Sequence, residues 1–257
     1  MSGNTIGAVR IVLVGGCAAV GALLGAWAPL LVYRLAVPAG ARPMDACSRC
    51  RAVLPAGWRG WLRVGARCPA CHTALTARSW VYVAATAVGF AALAWRLPAR
   101  RPADVVLLVA WLLMTAVGTV LAGVDISAHR LPRPILAGTA AVIGPLVGVA
   151  ALLARDPRLL TRAGLTGAAF GVVYLILALA GPGLVGMGDV YLAALLGLLL
   201  GTGPTPGVLV GALAPYLVGG PVTAARLALR QVQRSSQVAW GPYLITGSIL
   251  AKVLIPL

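Results

Sequence analysis

The acidic side chains of this 257-residue chain are few: Asp45, Asp104, Asp125, Asp156 and Asp189, with no glutamate. Asp189 stands in the run GMGDVYLAALLGLLLG, residues 186–201, where it is the only charge. Placing a carboxylate beside such an apolar stretch costs free energy, so a carboxylate in this position usually has a partner or a function. Two carboxylates held close together share a proton, and the pair can then act as general base and general acid on a peptide bond. A partner for Asp189 must come from the other four aspartates.

Four of the five cysteines form two CxxC pairs, Cys47 with Cys50 and Cys68 with Cys71, and seventeen residues separate the pairs. This spacing predicts a structural zinc site with four thiolate ligands. Two disulfides are an alternative, which a cytoplasmic location of the loop would disfavour. The stretch CPACH, residues 68–72, also matches a c-type haem attachment motif, but haem would leave the first pair unexplained.

The chain is 60% hydrophobic, and most of it consists of long apolar runs. The elements that position the aspartates and cysteines must therefore be built from these runs. This composition predicts an all-α polytopic membrane protein. The apolar runs predict eight transmembrane helices, at about 8–33, 79–96, 104–124, 134–154, 163–180, 189–203, 206–224 and 240–256. We expect a first transmembrane helix in residues 1–33, retained rather than cleaved as a signal peptide, a small zinc-binding loop at 34–78, and a transmembrane domain at 79–257.

The net charge of +16 comes almost wholly from arginine. Nucleic acid is one partner that such a charge can indicate. The arginines lie in the short loops between apolar runs, where membrane topology and anionic lipid head groups explain them, so we expect lipid contacts and no nucleic-acid partner. The loops on the side of residues 34–78 are the more basic, which places this loop in the cytoplasm and both termini outside.

Counting membrane crossings identifies Asp125 as the expected partner of Asp189. Asp125 is predicted just past the end of the third span, and Asp189 begins the sixth. The chain crosses twice between them and returns to the same side, so both carboxylates are expected at the cytoplasmic boundary. Asp45 falls in the large loop, and Asp104 and Asp156 fall on the opposite side.

A structural role is the alternative for each aspartate. Asp189 is placed to act as a helix N-cap, and either aspartate could pair with a loop arginine. Asp125 stands at a helix C-terminus, where the helix dipole disfavours a negative charge, so a purely structural role fits it poorly. Gly186 and Gly188 remove side chains beside Asp189, which is expected to let a substrate backbone approach. The stretch GPGLVGMG, residues 181–188, is expected to be irregular backbone lining a cavity.

Several motifs together resemble those of the bacterial prepilin peptidases, membrane-embedded aspartic proteases that cut leader peptides from type IV prepilins and pseudopilins. The run at 186–201 is similar to their GxGD segment, and DISAHRLP, residues 125–132, resembles the segment of their first catalytic aspartate. LGAWAPLLVYRL at 24–35 and WGPYLITGSIL at 240–250 resemble the end of their first span and the start of their last. The resemblance implies catalysis by Asp125 and Asp189, prepilin or pseudopilin substrates, and a location in the bacterial cytoplasmic membrane.

In that family the paired-CxxC loop belongs to a second activity, N-methylation of the new N-terminus with S-adenosylmethionine. GWLRVGARC, residues 60–68, is similar to part of that loop, but Val83 stands where the family has a glutamate. Tyr191 and Arg133 also depart from the residues common at their positions. Three interpretations therefore stand: a peptidase that also methylates, a peptidase alone, and a non-enzymatic membrane scaffold or transporter with a zinc-stapled loop.

Overall fold

The computed structural model describes residues 3–38, 40–61, 63–76, 78–97, 99–180, 185–229 and 239–255, and in them it shows only helices and loops, with no β-strand. The helices are α1 (Gly3–Leu35), α2 (Gly57–Trp61), α3 (Ser79–Arg96), α4 (Pro102–Ala128), α5 (Arg133–Ala154), α6 (Pro157–Ala180), α7 (Met187–Leu200), α8 (Thr205–Ala228) and α9 (Gly241–Leu254). The all-α prediction is confirmed. Residues 181–184 of the GPGLVGMG stretch and residue 256 of the last predicted span lie outside the described residues.

Eight of these helices coincide with the eight apolar runs, and α2 is a short additional helix inside the 34–78 loop. Five of them, α1, α4, α5, α6 and α8, are long and apolar enough to cross a membrane. This indicates a multi-pass membrane protein. The other three are shorter, with 18 residues in α3 and 14 each in α7 and α9.

Several helix ends differ from the predicted ones, and two of the differences bear on the aspartates. Helix α4 continues to Ala128 and ends at His129, whose φ of 47° is left-handed, so Asp125 lies inside the last turn of the helix rather than past it. Helix α7 begins at Met187, so Asp189 is its third residue and not its N-cap. Helix α6 begins at Pro157 rather than at 163, because proline suits the first turn of a helix.

Helix α4 lies at the centre of the bundle and contacts α1, α3, α5 and α9. Its side chains Trp111, Met114 and Leu121 are fully buried. On the outside, large apolar side chains such as Leu152 and Leu179 are more than three-quarters exposed. Such exposure is unfavourable in water and favourable against lipid hydrocarbon, which agrees with the length and composition of the five long helices.

Candidate catalytic aspartates and metal centre

Asp125 is a buried carboxylate at the C-terminal end of α4, with 5% of its surface exposed. Its Oδ2 accepts a hydrogen bond of 2.9 Å from the backbone N–H of Gly241, the first residue of α9. The first N–H groups of a helix have no partner inside the helix, and the positive end of the helix dipole is located there. The start of α9 therefore offsets the unfavourable position of Asp125 at the end of its own helix.

Gly241 is in close contact with this carboxylate. A Cβ added at Gly241 would lie 2.8 Å from Oδ2 of Asp125, closer than real Cβ atoms approach a neighbour. Only glycine therefore fits at this position without displacing the carboxylate or the start of α9. The sequence did not predict Gly241 as part of the site, although a Gly-Pro pair at the start of an apolar run is a local signal that a helix begins there.

Asp189 is buried in the first turn of α7, with 9% of its surface exposed. Its Oδ2 accepts a hydrogen bond of 3.0 Å from the backbone N–H of Gly186, the N-cap residue. This is the side-chain half of a capping box, in which the third residue of a helix reaches back to the N-cap. Its other oxygen, Oδ1, is buried and has no hydrogen-bond partner among the described residues. Capping therefore occupies one oxygen of Asp189 and leaves the other free.

Both aspartates line one cavity of about 470 Å³. The helices α5 and α6 separate them along the chain, and the two crossings bring the N-terminal end of α7 back to the end of α4. The rest of the wall is formed by Gly40, the segment 129–134 and residues 186–188. The two acids therefore lie together at one end of the bundle, as expected.

The glycines beside Asp189 line the same cavity, and Gly188 also has a packing role. A Cβ at Gly188 would lie 2.7 Å from the Cβ of Leu131, so this glycine allows the start of α7 to pack against the segment after α4. The expectation that Gly186 and Gly188 open the site to a substrate backbone is compatible with this arrangement and stays a prediction.

Basic residues surround the cavity without neutralising the aspartates directly. His129, Arg130 and Arg133 line it. The hydrogen bonds that the structure gives the two carboxylates come from backbone N–H groups rather than from a loop arginine. The alternative in which each aspartate serves to hold a loop arginine therefore has no support in the described part of the chain.

Two of the remaining aspartates have local structural roles. Asp104 accepts a hydrogen bond of 3.0 Å from the backbone N–H of Arg101 at the start of α4. Asp156 accepts one of 3.0 Å from the backbone N–H of Arg158 at the start of α6. Both are turn or capping contacts within a few residues, and they lie at the other end of α4 and α6 from the aspartate cavity.

The four cysteines of the two CxxC pairs meet in one cluster, with all four sulfur atoms within 4.8 Å of one another. The sulfur of Cys47 is 3.8 Å from that of Cys71, and the sulfur of Cys50 is 3.6 Å from that of Cys68. Zinc–sulfur bonds of about 2.3 Å in a tetrahedron place the sulfurs ~3.8 Å apart. The spacing therefore fits a zinc ion and is too long for disulfides, and all four thiols are free.

Each CxxC pair forms the same kind of turn. The residue after the second cysteine, Arg51 in one turn and His72 in the other, has a left-handed φ of 58° or 55°. The N–H of that residue bonds to the carbonyl of the first cysteine at 2.9 Å and 3.0 Å. His72 therefore occupies a backbone position matched by an arginine in the first turn, and it does not belong to the ligand cluster.

The pKa values of the cysteines differ because their sulfur atoms lie so close together. The hydroxyl of Thr73, and then its backbone N–H, lower the pKa of Cys71 to about 6. The backbone N–H of Ala52 lowers the pKa of Cys50, but the sulfurs of Cys71 and Cys68 together with burial raise it to about 12. Four thiolates this close cannot all be charged without a positive ion between them. A divalent metal supplies that charge, and the donor set is the one zinc prefers.

The cysteine loop is held against the end of α1 by two neighbouring residues. Tyr33 donates a hydrogen bond of 2.9 Å to the carbonyl of Ala46 and accepts one of 2.8 Å from the N–H of Ser48. Arg34, only 3% exposed, donates to the carbonyl of Pro55 at 2.8 Å and lies 4.9 Å from the centre of the Trp61 ring. Arg34 is therefore a buried residue in the last turn of α1 and not one of the loop arginines expected to contact lipid head groups.

The helix lengths and composition indicate a multi-pass membrane protein, with a pair of buried aspartates in one cavity and a four-cysteine cluster suited to a metal ion. Comparisons of the chain with protein-family models, with curated proteins and with solved structures find no match.

Proposed function

We propose that this protein is a membrane-embedded aspartic endopeptidase that cleaves the leader peptides of type IV prepilins and related pseudopilins. The observation that carries the proposal is that Asp125 and Asp189, alone among the five aspartates, line one cavity. The motif resemblance described above supplies the substrate class. Under this proposal the cavity end of the bundle faces the cytoplasm of a bacterial cell, and the helices lie in the cytoplasmic membrane.

Two buried carboxylates that line one cavity repel each other when both are charged, so the pair is expected to hold one shared proton. The ionised carboxylate takes a proton from a water molecule as that water attacks the carbonyl carbon of the scissile bond. The protonated carboxylate donates its proton to the carbonyl oxygen. When the tetrahedral intermediate collapses, the carbon–nitrogen bond breaks and the proton taken from water passes to the leaving amine.

The hydrogen bonds that the two carboxylates accept are compatible with these general-base and general-acid roles. Oδ2 of each aspartate accepts a backbone N–H, which fixes the orientation of the carboxylate. Oδ1 of Asp189 is buried and without a partner among the described residues, so it is an atom that can hold a proton or bind the attacking water. A buried acceptor left empty is unfavourable, and a water molecule or a substrate group would satisfy it.

The position of the cavity suits a substrate that is itself half in the membrane. The cavity lies where α4 ends and α7 begins, at one end of helices that are otherwise apolar. A prepilin has a polar leader followed by an apolar helix. Its scissile bond therefore lies where the apolar helix meets the membrane boundary, which is the depth proposed for the aspartates.

The test is processing of a co-expressed prepilin by Asp125→Asn and Asp189→Asn variants. Each is expected to lower the cleavage rate by about 10²–10⁴-fold, because asparagine cannot exchange the proton. Asp104→Asn and Asp156→Asn are matched controls at the opposite end of the bundle, and both are expected to process normally. Full processing by either dyad variant ends the proposal and leaves the scaffold or transporter as the better interpretation.

The four-cysteine cluster bears on a second activity. We propose that its metal is zinc with a structural role, since four cysteines leave no open coordination position for catalysis. N-methylation with S-adenosylmethionine rests on the resemblance of the loop alone, and Val83 replaces the glutamate of that family. The mass of the mature pilin N-terminus decides between the two peptidase interpretations: one added methyl group supports both activities, and cleavage without it supports the peptidase alone.

A further inference from the structure

A second apolar groove lies beside the aspartate cavity, between α5, α6 and α7. Its volume is about 530 Å³. Small residues from all three helices form its floor and walls: Ala137, Ala140, Gly164, Gly167 and Ala194. Ala137 and Ala140 are exposed on α5, so the groove is open along the outer face of the bundle.

The groove adjoins the aspartate cavity. Arg133 lines both, and Tyr191, two residues after Asp189, lines the end of the groove nearest the aspartates. From there the groove follows α5 from residue 133 to residue 140 and α7 from residue 191 to residue 198. Seven residues of helix correspond to about 10 Å, or two helical turns. A chain leaving the cavity past Arg133 would therefore pass from polar to apolar surroundings within this distance.

We propose that this groove receives the first turns of the apolar helix that follows the scissile bond of the substrate, which rests on the proposed function. A substrate cut at the end of the bundle has a polar segment on one side of the cut and an apolar segment on the other. The cavity that holds the two aspartates suits the scissile peptide bond. The groove, whose walls beyond Arg133 and Tyr191 are apolar, suits the segment that enters the membrane.

The small residues give the groove the shape that a helix needs. In a membrane, helices associate mainly by close packing, and alanine and glycine allow two backbones to approach. Gly167 already packs tightly inside the bundle, where an added Cβ would lie 3.0 Å from the carbonyl oxygen of Ala194. The alanines of α5, by contrast, face outward and are free to contact an incoming helix.

A larger groove on another face provides the comparison. It lies between α3, α4 and α9, has a volume of about 820 Å³ and is also rich in alanine and glycine. It shares no lining residue with the aspartate cavity in the described part of the chain. A lipid chain would occupy either groove for its apolar surface alone, whereas a substrate attached to the cavity would occupy the groove beside Arg133.

The first test fills each groove with one large side chain. Ala137→Phe and Ala140→Phe are expected to raise KM for a full-length prepilin about tenfold or more, as loss of apolar contacts does in a binding pocket. A short peptide that carries the leader and only the first two residues after the scissile bond should be cleaved as by the unmodified enzyme. Ala85→Phe in the larger groove, and Ala141→Phe on α5 outside either groove, should leave both substrates unaffected. Equal effects of Ala85→Phe and Ala140→Phe would overturn the inference.

The second test does not depend on cleavage. A photoreactive benzophenone residue at 140, in the Asp189→Asn background, is expected to crosslink to the apolar helix of a bound prepilin, and the same residue at 85 is not. Crosslinks from 140 to phospholipid only would mean that the groove is a lipid site and would overturn the inference. Loss of the proposed function itself is recognised separately, because Asp189→Asn would then still process the prepilin in full.

Discussion

Asp125 and Gly241 are joined by a hydrogen bond of 2.9 Å although 116 residues separate them in the chain. The bond connects the C-terminal end of α4 to the first residue of α9, so one helix end compensates the charge placed at another. A catalytic role for Asp125 then depends on a glycine that carries no chemistry of its own.

The first prediction follows from this contact. Gly241→Ala places a Cβ 2.8 Å from Oδ2 of Asp125, so the carboxylate or the start of α9 must move. Because a displacement of about 1 Å can lower a catalysed rate ~10²-fold, we expect prepilin cleavage to fall by that order while the protein still inserts. Gly138→Ala on α5 meets nothing within 4 Å and is the matched control with expected normal cleavage. Normal cleavage by Gly241→Ala would show that catalysis does not depend on the close fit of this glycine against Asp125.

The second prediction concerns the ligands of the metal. Cys47→Ser should lower the zinc content of the purified protein from about one ion per chain to near zero, since three thiolates bind zinc less well than four. Cys17→Ser, in α1, should retain the metal. His72→Asn should retain it as well, because His72 occupies a left-handed turn position that asparagine tolerates. Elemental analysis gives the result, and zinc loss in His72→Asn would assign the histidine as a ligand.

The third prediction concerns the anchor of the cysteine loop. Arg34→Ala removes a buried guanidinium bonded to the carbonyl of Pro55 and packed over Trp61. Hydrogen bonds to charged groups contribute about 1.5–3 kcal/mol, so the loop should detach more readily from α1. Limited proteolysis should cut residues 36–78 faster in this variant. Arg42→Ala removes an exposed arginine of the same loop and should be cut at the unmodified rate; equal rates for both variants would contradict the anchoring role.

The fourth prediction concerns orientation in the membrane. The positive-inside rule places the 34–78 loop in the cytoplasm and the connection between α5 and α6 outside. In a background without native cysteines, Arg158→Cys should react with a membrane-impermeant thiol reagent in intact cells. Arg42→Cys should react only after the cells are opened. The reverse pattern would place the aspartate cavity on the outer side and remove the cytoplasmic part of the proposal.

The apolar runs predicted the order of eight helices in the described part of the chain, because a membrane helix needs an uninterrupted apolar stretch whatever its neighbours are, although only five of the eight are long and apolar enough to cross a membrane. They predicted the ends less well, since end positions depend on local geometry. Asp125 lies within α4 because the chain stays helical until His129 takes a left-handed conformation. Helix α6 begins at Pro157, six residues before the predicted start, because proline is favoured in the first turn of a helix.

The juxtaposition of Asp125 and Asp189 could be predicted from the sequence, because it requires only a count of the membrane crossings between them. The contact between Asp125 and Gly241 could not be predicted, because no residue within α4 or α9 indicates which helix ends lie next to each other. The burial of Arg34 is a second feature that the sequence could not predict. An arginine after an apolar run is usually a solvated charge, and its burial here depends on carbonyl groups and an aromatic ring more than twenty residues away.

The dependence of Asp125 on the start of α9 has a consequence for biogenesis. A nascent chain that has emerged from the ribosome as far as α7 already contains both acids, yet it lacks the amide that orients one of them. Proteolytic competence would then arise only when the final helix has been inserted, so unfinished chains would be unable to cut other membrane proteins during their own synthesis.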